Sequence, residues 1–137
     1  MSYLVDTNVL SELRRKQPQP QVVAWFGQRP RQSLYLSVLT LGEIRKGVGR
    51  LDGDPRQSAL LDWLEVDLPR FFLGRLLAVD AHTADHWGRL QAGAGRPLPA
   101  IDSLLAATAL QHDLKMVTRN TTDFAGLGVR LINPWLD

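Results

Sequence analysis

Five short apolar runs, at residues 3–5, 34–36, 76–79, 116–118 and 129–132, alternate with longer stretches whose apolar residues recur at spacings of three and four. That alternation leaves few architectures open. A run of three or four apolar residues suits a strand buried on both faces, and the stretches between suit helices with one apolar side. Strands that alternate with helices pair in parallel, because each return to the sheet needs a right-handed crossover. The expected fold is α/β, a three-layer α/β/α arrangement around a central, mainly parallel sheet. No internal repeat, low-complexity tract or linker interrupts the 137 residues, so residues 1–137 read as a single domain.

The helical stretches carry their own punctuation. Asp6, Thr7 and Asn8 offer oxygen atoms to the free N–H groups of a helix bearing Val9, Leu10 and Leu13. Val22, Val23 and Phe26 mark a second, stopped at Arg29-Pro30-Arg31. Val38, Leu41, Ile44 and Val48 give a helix over 37–51 one buried face. Leu60, Leu61, Leu64 and Leu68 do the same over 58–72, where Pro69 is expected to end or kink the helix. Asp80 and Thr83 cap a helix through Trp87 and Leu90, and 101–112 is Ala/Leu-rich and helical. Residues 119–128 read as a polar, Gly-containing connection.

The formal charge is only +2, from 16 basic and 14 acidic residues, but it is unevenly spread. Residues 1–50 hold eight Lys/Arg against three Asp/Glu, and residues 51–137 eight against eleven, so the amino-terminal third is electropositive. The absence of cysteine excludes disulfide frameworks, thiolate zinc sites and thiol nucleophiles. No charge-free stretch exceeds the twelve residues 17–28, which is short of a membrane span, and Asp6 comes too early for a signal peptide. The reading is a cytoplasmic protein with no membrane role.

In open α/β sheets, ligands collect at the carboxyl ends of the strands. Asp6 directly follows the first run, and residues 118–123 follow the fourth. Glu43 and Asp102 fall in the opening turns of expected helices that begin at the same edge. Taken singly, each acid reads equally well as a helix cap. Taken together, they are acids set into apolar patterns, and a buried carboxylate needs a partner. Clusters of oxygen donors suit Mg²⁺ and Mn²⁺, which orient a phosphodiester and lower the pKa of a bound water.

Four blocks carry a family resemblance: Leu4-Val5-Asp6-Thr7-Asn8-Val9-Leu10-Ser11-Glu12, Ser37-Val38-Leu39-Thr40-Leu41-Gly42-Glu43-Ile44, Ala100-Ile101-Asp102-Ser103-Leu104-Leu105-Ala106-Ala107-Thr108-Ala109 and Val117-Thr118-Arg119-Asn120-Thr121-Thr122-Asp123-Phe124. In order and spacing the chain resembles the PIN-domain ribonucleases, and among them the VapC-type toxins of type II toxin–antitoxin pairs. The ending Asn133-Pro134-Trp135 is similar to that of the FitB-like branch. The resemblance implies a PIN fold and a Mg²⁺- or Mn²⁺-dependent endoribonuclease, with Asp6, Glu43 and Asp102 as metal-binding acids. Asn8, Ser11 and Thr118 would support them. In some relatives the fourth acid stands where this chain has Asn120, in others where it has Asp123; Asp123 is favoured, with Asn120 assisting. The resemblance further implies a VapB-type antitoxin covering the crevice, a homodimer, and contact with DNA only through the antitoxin.

Arg45, Lys46 and Arg119 are candidate RNA contacts, alongside Arg14, Arg15, Lys16, Arg29, Arg31 and Arg50. The plainer account is a solvated helix face, or for Arg119 a salt bridge to one of the acids. The four tryptophans read as packing residues before base-stacking ones. His82 and His86 lack the glutamate of the zinc-protease helix, and no phosphate-binding glycine loop or serine elbow is present. Two further readings compete. Asp6-Thr7-Asn8 resembles the start of a haloacid-dehalogenase phosphatase, although Asn8 stands where those enzymes carry a second aspartate. The other is an RNA- or protein-binding PIN module that has lost catalysis.

Overall fold

In the computed structural model, which describes Met1–Asp137, the five apolar runs become strands β1 (Tyr3–Val5), β2 (Leu34–Ser37), β3 (Leu76–Leu77), β4 (Lys115–Val117) and β5 (Leu131–Ile132). They form one sheet in the order β3-β2-β1-β4-β5, with every pairing parallel. The register places Leu4 beside Tyr35 on one side and Met116 on the other.

Alternation along each strand sorts the core into two layers. Tyr3, Val5, Leu34, Leu36 and Val117 face one side, and Leu4 and Met116 face the other. The first side is covered by α1 (Thr7–Leu13), α2 (Pro20–Gly27), α3 (Val38–Gly49) and a run from α4 (Gln57–Asp62) to α5 (Leu68–Phe71), through Val9, Leu10, Val22, Trp25, Ile44, Val48, Leu64 and Leu68. The second is covered by α6 (Ala81–Gly93), α7 (Ala100–Gln111) and α8 (Thr121–Phe124), through Leu90, Leu105, Ala106, Ala109 and Phe124. The three-layer α/β/α expectation holds. Leu4, Leu34, Leu36, Leu105 and Met116 are at most 1% exposed, and each such side chain contributes about 1.5–3 kcal/mol through burial.

Several local expectations are corrected. The helix does not end at Pro69, and the distortion expected of that residue takes the form of a wider turn just ahead of it. Trp63–Asp67 widens into a π-helical turn in which the Leu68 N–H donates to the Trp63 carbonyl, and helix continues through α5. A wider turn relieves the collision of a proline ring with the carbonyl four residues back. The 119–128 connection contains α8, pinned by Phe124 at 1% exposure. On α3, Leu41, Ile44 and Val48 pack on the core as expected, but at the first turn Val38 is 39% exposed and Thr40 is fully buried in its place. Val23 is likewise 43% exposed, and Val22 and Trp25 take the interior of α2. The third and fifth strands are each two residues long, shorter than residues 76–79 and 129–132.

Candidate active site

After β1 the chain builds the sheet outward to β2 and β3, and after β3 it crosses to β4 on the other flank of β1. The sheet therefore reverses its direction of growth between β1 and β4, the position where open α/β sheets leave a crevice. Asp6 stands at its rim. Its N–H donates to the Val117 carbonyl at 2.9 Å, extending the β1–β4 pairing by one residue. Its Oδ1 accepts from the Thr7 N–H at 2.8 Å and its Oδ2 from the Thr118 hydroxyl at 2.8 Å. Asp6 is thus the N-cap of α1 and a wall of the crevice at once.

The crevice has a volume of about 450 Å³, and Asp6, Glu43 and Asp102 all line it. The acids arrive from three separate segments. Glu43 comes from α3, whose start is capped by the Ser37 hydroxyl accepting from the Leu39 N–H, and its Oε1 accepts from Thr7 Oγ1 at 3.1 Å. Asp102 lies in the first turn of α7. That turn is tied to α6 by fully buried Ser103, whose hydroxyl accepts from Trp87 Nε1 at 2.9 Å and Gln91 Nε2 at 3.1 Å.

Asn8, Ser11, Asn120 and Arg119 line the same crevice. Thr118 lies just beneath: its oxygen accepts from Asn8 Nδ2 at 3.3 Å and from the Asn120 N–H at 3.0 Å. Asp123, on α8, does not line the crevice, yet its charge is felt by both Asp6 and Asp102. The structure therefore brings Asn120 to the wall of the crevice and leaves Asp123 exposed outside it, near enough for its charge to act on two of the acids. Arg45 and Lys46 are not on the crevice wall, and Arg45 pairs with Glu65 at 3.5 Å on the open surface.

Electrostatics sets these acids apart. Burial raises the pKa of Asp6, opposed by its bonds from Thr118 and Thr7 and reinforced by Asp123. Burial likewise raises Glu43, opposed by the Thr7 hydroxyl, with repulsion from Asp6 added and Lys46 working the other way. Asp102 is raised by burial and then by Asp6, Asp123 and Glu43 together. None of the four is in an ion pair with Lys or Arg. The salt bridge weighed for Arg119 is absent. Its guanidinium lies 5.0 Å from the Trp135 ring, and the Arg119 backbone N–H donates to Asn8 Oδ1 at 3.2 Å.

Asp6, Glu43 and Asp102, each raised by burial and by neighbouring carboxylates and none paired with a cation, have the donor chemistry of a site for a hard divalent ion. As the side chains stand, however, no three histidine or acidic groups are gathered at the spacing of ligands to one ion. Loading would require the carboxylates to draw inward.

Thr7, Glu12, Arg15 and Trp135 also line the crevice; the sequence reading assigns Thr7 only to a helix cap, Arg15 to RNA contact and Trp135 to packing, and gives Glu12 no role. A signal was available for two. Asn8, Ser11, Glu12 and Arg15 are spaced i, i+3, i+4 and i+7, a polar stripe along one face of α1 and its C-terminal extension. Glu12 is 4% exposed; the Gln19 N–H, ahead of Arg15, holds its carboxyl below the usual range. Trp135 follows β5 at the same sheet edge, and its indole N–H is enclosed without a hydrogen-bond partner.

Comparison with known proteins places this site in context. Residues 3–128 match the PIN domain family. Over 98% of its length the chain is 38% identical to Toxin FitB of Neisseria gonorrhoeae, covering 99% of that protein. It is 33% identical to the VapC ribonuclease Y4jK of Sinorhizobium fredii, over 96% of each chain. A solved structure of FitAB bound to an IR36 DNA fragment superposes with a TM-score of 0.89 at 35% identity, covering 97% of this chain and 95% of that one. An all-parallel sheet with acids at the reversal of its strand order, matched along nearly its whole length, makes the chain a member of the PIN domain family.

Proposed function

We propose that the chain is a Mg²⁺- or Mn²⁺-dependent endoribonuclease, the toxin of a toxin–antitoxin pair, which hydrolyses RNA phosphodiester bonds. The observation that carries this reading is the convergence of Asp6, Glu43 and Asp102 from three segments on one crevice, with no Lys or Arg in an ion pair with them. These acids would hold the ion, with Asp123 as the fourth and Asn120 assisting. When bound, the ion supplies a water of lowered pKa and offsets the charge that develops on the phosphate and the leaving oxygen.

The chain's own residues prepare the site. Thr118 and Thr7 each donate a hydroxyl hydrogen to an acid, fixing the Asp6 and Glu43 carboxylates in orientation. Asn8 braces Asp6 and Thr118 together. Arg119 presents a guanidinium at the crevice wall, suited to two oxygens of a phosphate. Unpaired RNA suits the site best, because the scissile phosphate must turn into a crevice that a regular duplex cannot enter. An antitoxin peptide bearing Arg or Lys would silence the site by pairing with these acids. A homodimer, a cytoplasmic location and DNA contact through the antitoxin belong to the same proposal; no helix is long and apolar enough to cross a membrane. The phosphatase alternative has no second acid at Asn8, whose amide is engaged with Asp6 and Thr118.

The test is incubation of the purified chain with structured RNA and with a phosphate monoester, in Mg²⁺, Mn²⁺ or EDTA. RNA cuts are expected in either metal and not in EDTA or in Asp6→Asn. Cuts that survive EDTA or Asp6→Asn would refute the mechanism, and monoester turnover alone would assign a phosphatase.

A further inference from the structure

Beside the crevice lies a second cavity of about 510 Å³, lined by Ser11, Arg14, Arg15, Lys16, Arg56, Ala59 and Leu60. Four of its seven lining residues are cations, and none is a carboxylate. The cations arrive from two segments some forty residues apart, the end of α1 and the start of α4. Two of them are held in place. The Arg14 guanidinium lies 5.1 Å from the Trp63 ring, and Arg56 is locked by a two-point bond to Asp54 at 2.9 and 3.1 Å. Arg14 and Lys16 have no carboxylate within ion-pair distance. Ser11 and Arg15 line this cavity and the acid crevice alike, so the two are adjoining parts of one surface.

We propose that this basic cavity is a binding subsite for RNA backbone phosphates flanking the bond that is cut; the proposal rests on the ribonuclease reading and deepens it. The geometry is that of α1. Its seven residues from Thr7 to Leu13 span about 10 Å along the axis. At roughly 3.4 Å per nucleotide in a stacked strand, the cavity meets the backbone about three nucleotides from the scissile phosphate, and fewer if the strand is extended. Every unit of a polynucleotide carries an anion, so a strand seated on the acids necessarily brings another phosphate to the cations. A peptide has acids only where its own sequence puts them, and next to this cavity it would meet four more. Arg15, which pairs with Glu12 at 3.3 Å, and Arg56 retain free N–H donors, since guanidinium has five.

The experiment uses the full chain carrying Asp6→Asn, so that RNA binding is read without cleavage. A single-stranded RNA of twelve nucleotides is titrated between 50 and 500 mM salt against this protein and against a version that adds Arg14→Gln, Lys16→Gln and Arg56→Gln. The additional changes are expected to weaken binding about tenfold at 100 mM salt and to reduce the slope of log affinity against log salt by about 0.7 for each lost phosphate. Arg14→Lys with Arg56→Lys should restore binding, and Arg89→Gln with Arg130→Gln, neither of which lines either cavity, should not weaken it. Thermal melts check that each variant is folded. An unchanged slope, or equal weakening by the Arg89/Arg130 control, overturns the proposal. So does retained RNA binding with lost binding of a poly-glutamate probe, which would make the occupant an acidic protein. The ribonuclease reading fails separately, through RNA left uncut by the wild-type chain.

Discussion

Replacing Thr118 by valine removes one hydroxyl with little change of shape, and its effect can be worked from the contacts. Thr118 is fully buried. Its hydroxyl donates to Asp6 Oδ2 at 2.8 Å and accepts from the Asn120 N–H at 3.0 Å. A hydrogen bond to a charged group contributes about 1.5–3 kcal/mol, so Thr118→Val should cost about 2–3 kcal/mol at pH 7. That corresponds to a fall in Tm of roughly 6–10 °C for a domain of this size.

The pH dependence makes the prediction specific. Asp6 already has a raised folded pKa, and the Thr118 bond is the largest effect opposing that rise. A group raised in the folded state contributes stability that is full below its unfolded value and lost as pH rises through the folded value. Thr118→Val lifts the folded value further, by about one unit for each 1.36 kcal/mol of lost interaction. Below 3.8, the ordinary value for an aspartate, Asp6 is largely neutral in both folded proteins, and the difference should shrink to about 1 kcal/mol, from the Asn120 N–H left without its acceptor. It should widen as pH rises past the two folded values. Asp54 and Asp80, with pKa values lowered to about 2, also weaken the protein in acid, but equally in both forms, so they cancel. Urea denaturation of both proteins between pH 3.5 and 8 measures the gap. A gap constant across that range would refute the charge-linked account, and one below about 0.5 kcal/mol would refute the hydrogen bond.

Asp102→Asn removes a charge repelled by Asp6, Asp123 and Glu43. Without metal it should raise Tm at neutral pH by about 2–4 °C, a figure discounted for partial exposure, and by less as pH falls and the acids protonate. Mn²⁺ should stabilise the wild type more than this variant, and an equal Mn²⁺ gain in the two proteins would exclude Asp102 as a ligand. Ser103→Ala removes the acceptor of the half-buried Trp87 indole N–H and one of the two acceptors of the Gln91 amide. A loss of about 1–3 kcal/mol is expected in denaturant titration, and unchanged stability would show that α7 is positioned by other contacts.

The sheet was legible because its signal is physical and local. Leu4 and Met116 point opposite to Tyr3, Val5 and Val117, and runs that short have no way to bury both faces except between two helical layers. The misreadings have equally local causes. Pro69 was read against an α-helix, and the chain instead opens one π turn ahead of it, an adjustment that no apolar spacing reports. Thr40 is buried where Val38 is not, because the start of α3 is oriented by its Ser37 cap and strand β2 as well as by hydrophobicity. The acids Asp6, Glu43 and Asp102 were legible from their positions after strands or at helix starts. Glu12 was not, because its burial depends on the α1–α2 connection folding back so that the Gln19 N–H donates to it at 3.0 Å. Trp135 reaches the crevice only because β5 pairs with β4, which a reading of its own neighbourhood does not reveal.

Capping and chemistry, weighed as competing accounts of Asp6, are compatible because a carboxylate has about four lone-pair sites. The Thr7 N–H occupies one on Oδ1, and the Thr118 hydroxyl and the Asn8 amide occupy two on Oδ2, which leaves one on Oδ1 free for a ligand. The two roles can be separated by substitution. Asparagine caps a helix about as well as aspartate, whereas alanine loses the cap at a cost of about 0.5–2 kcal/mol. Asp6→Asn also relieves the repulsion from Asp123. Asp6→Ala should therefore be less stable than Asp6→Asn by about 1–2 kcal/mol in urea denaturation, while both abolish RNA cleavage. Equal stability of the two variants would mean that α1 starts without help from this side chain, and cleavage by Asp6→Asn would mean that its charge is not what the reaction uses.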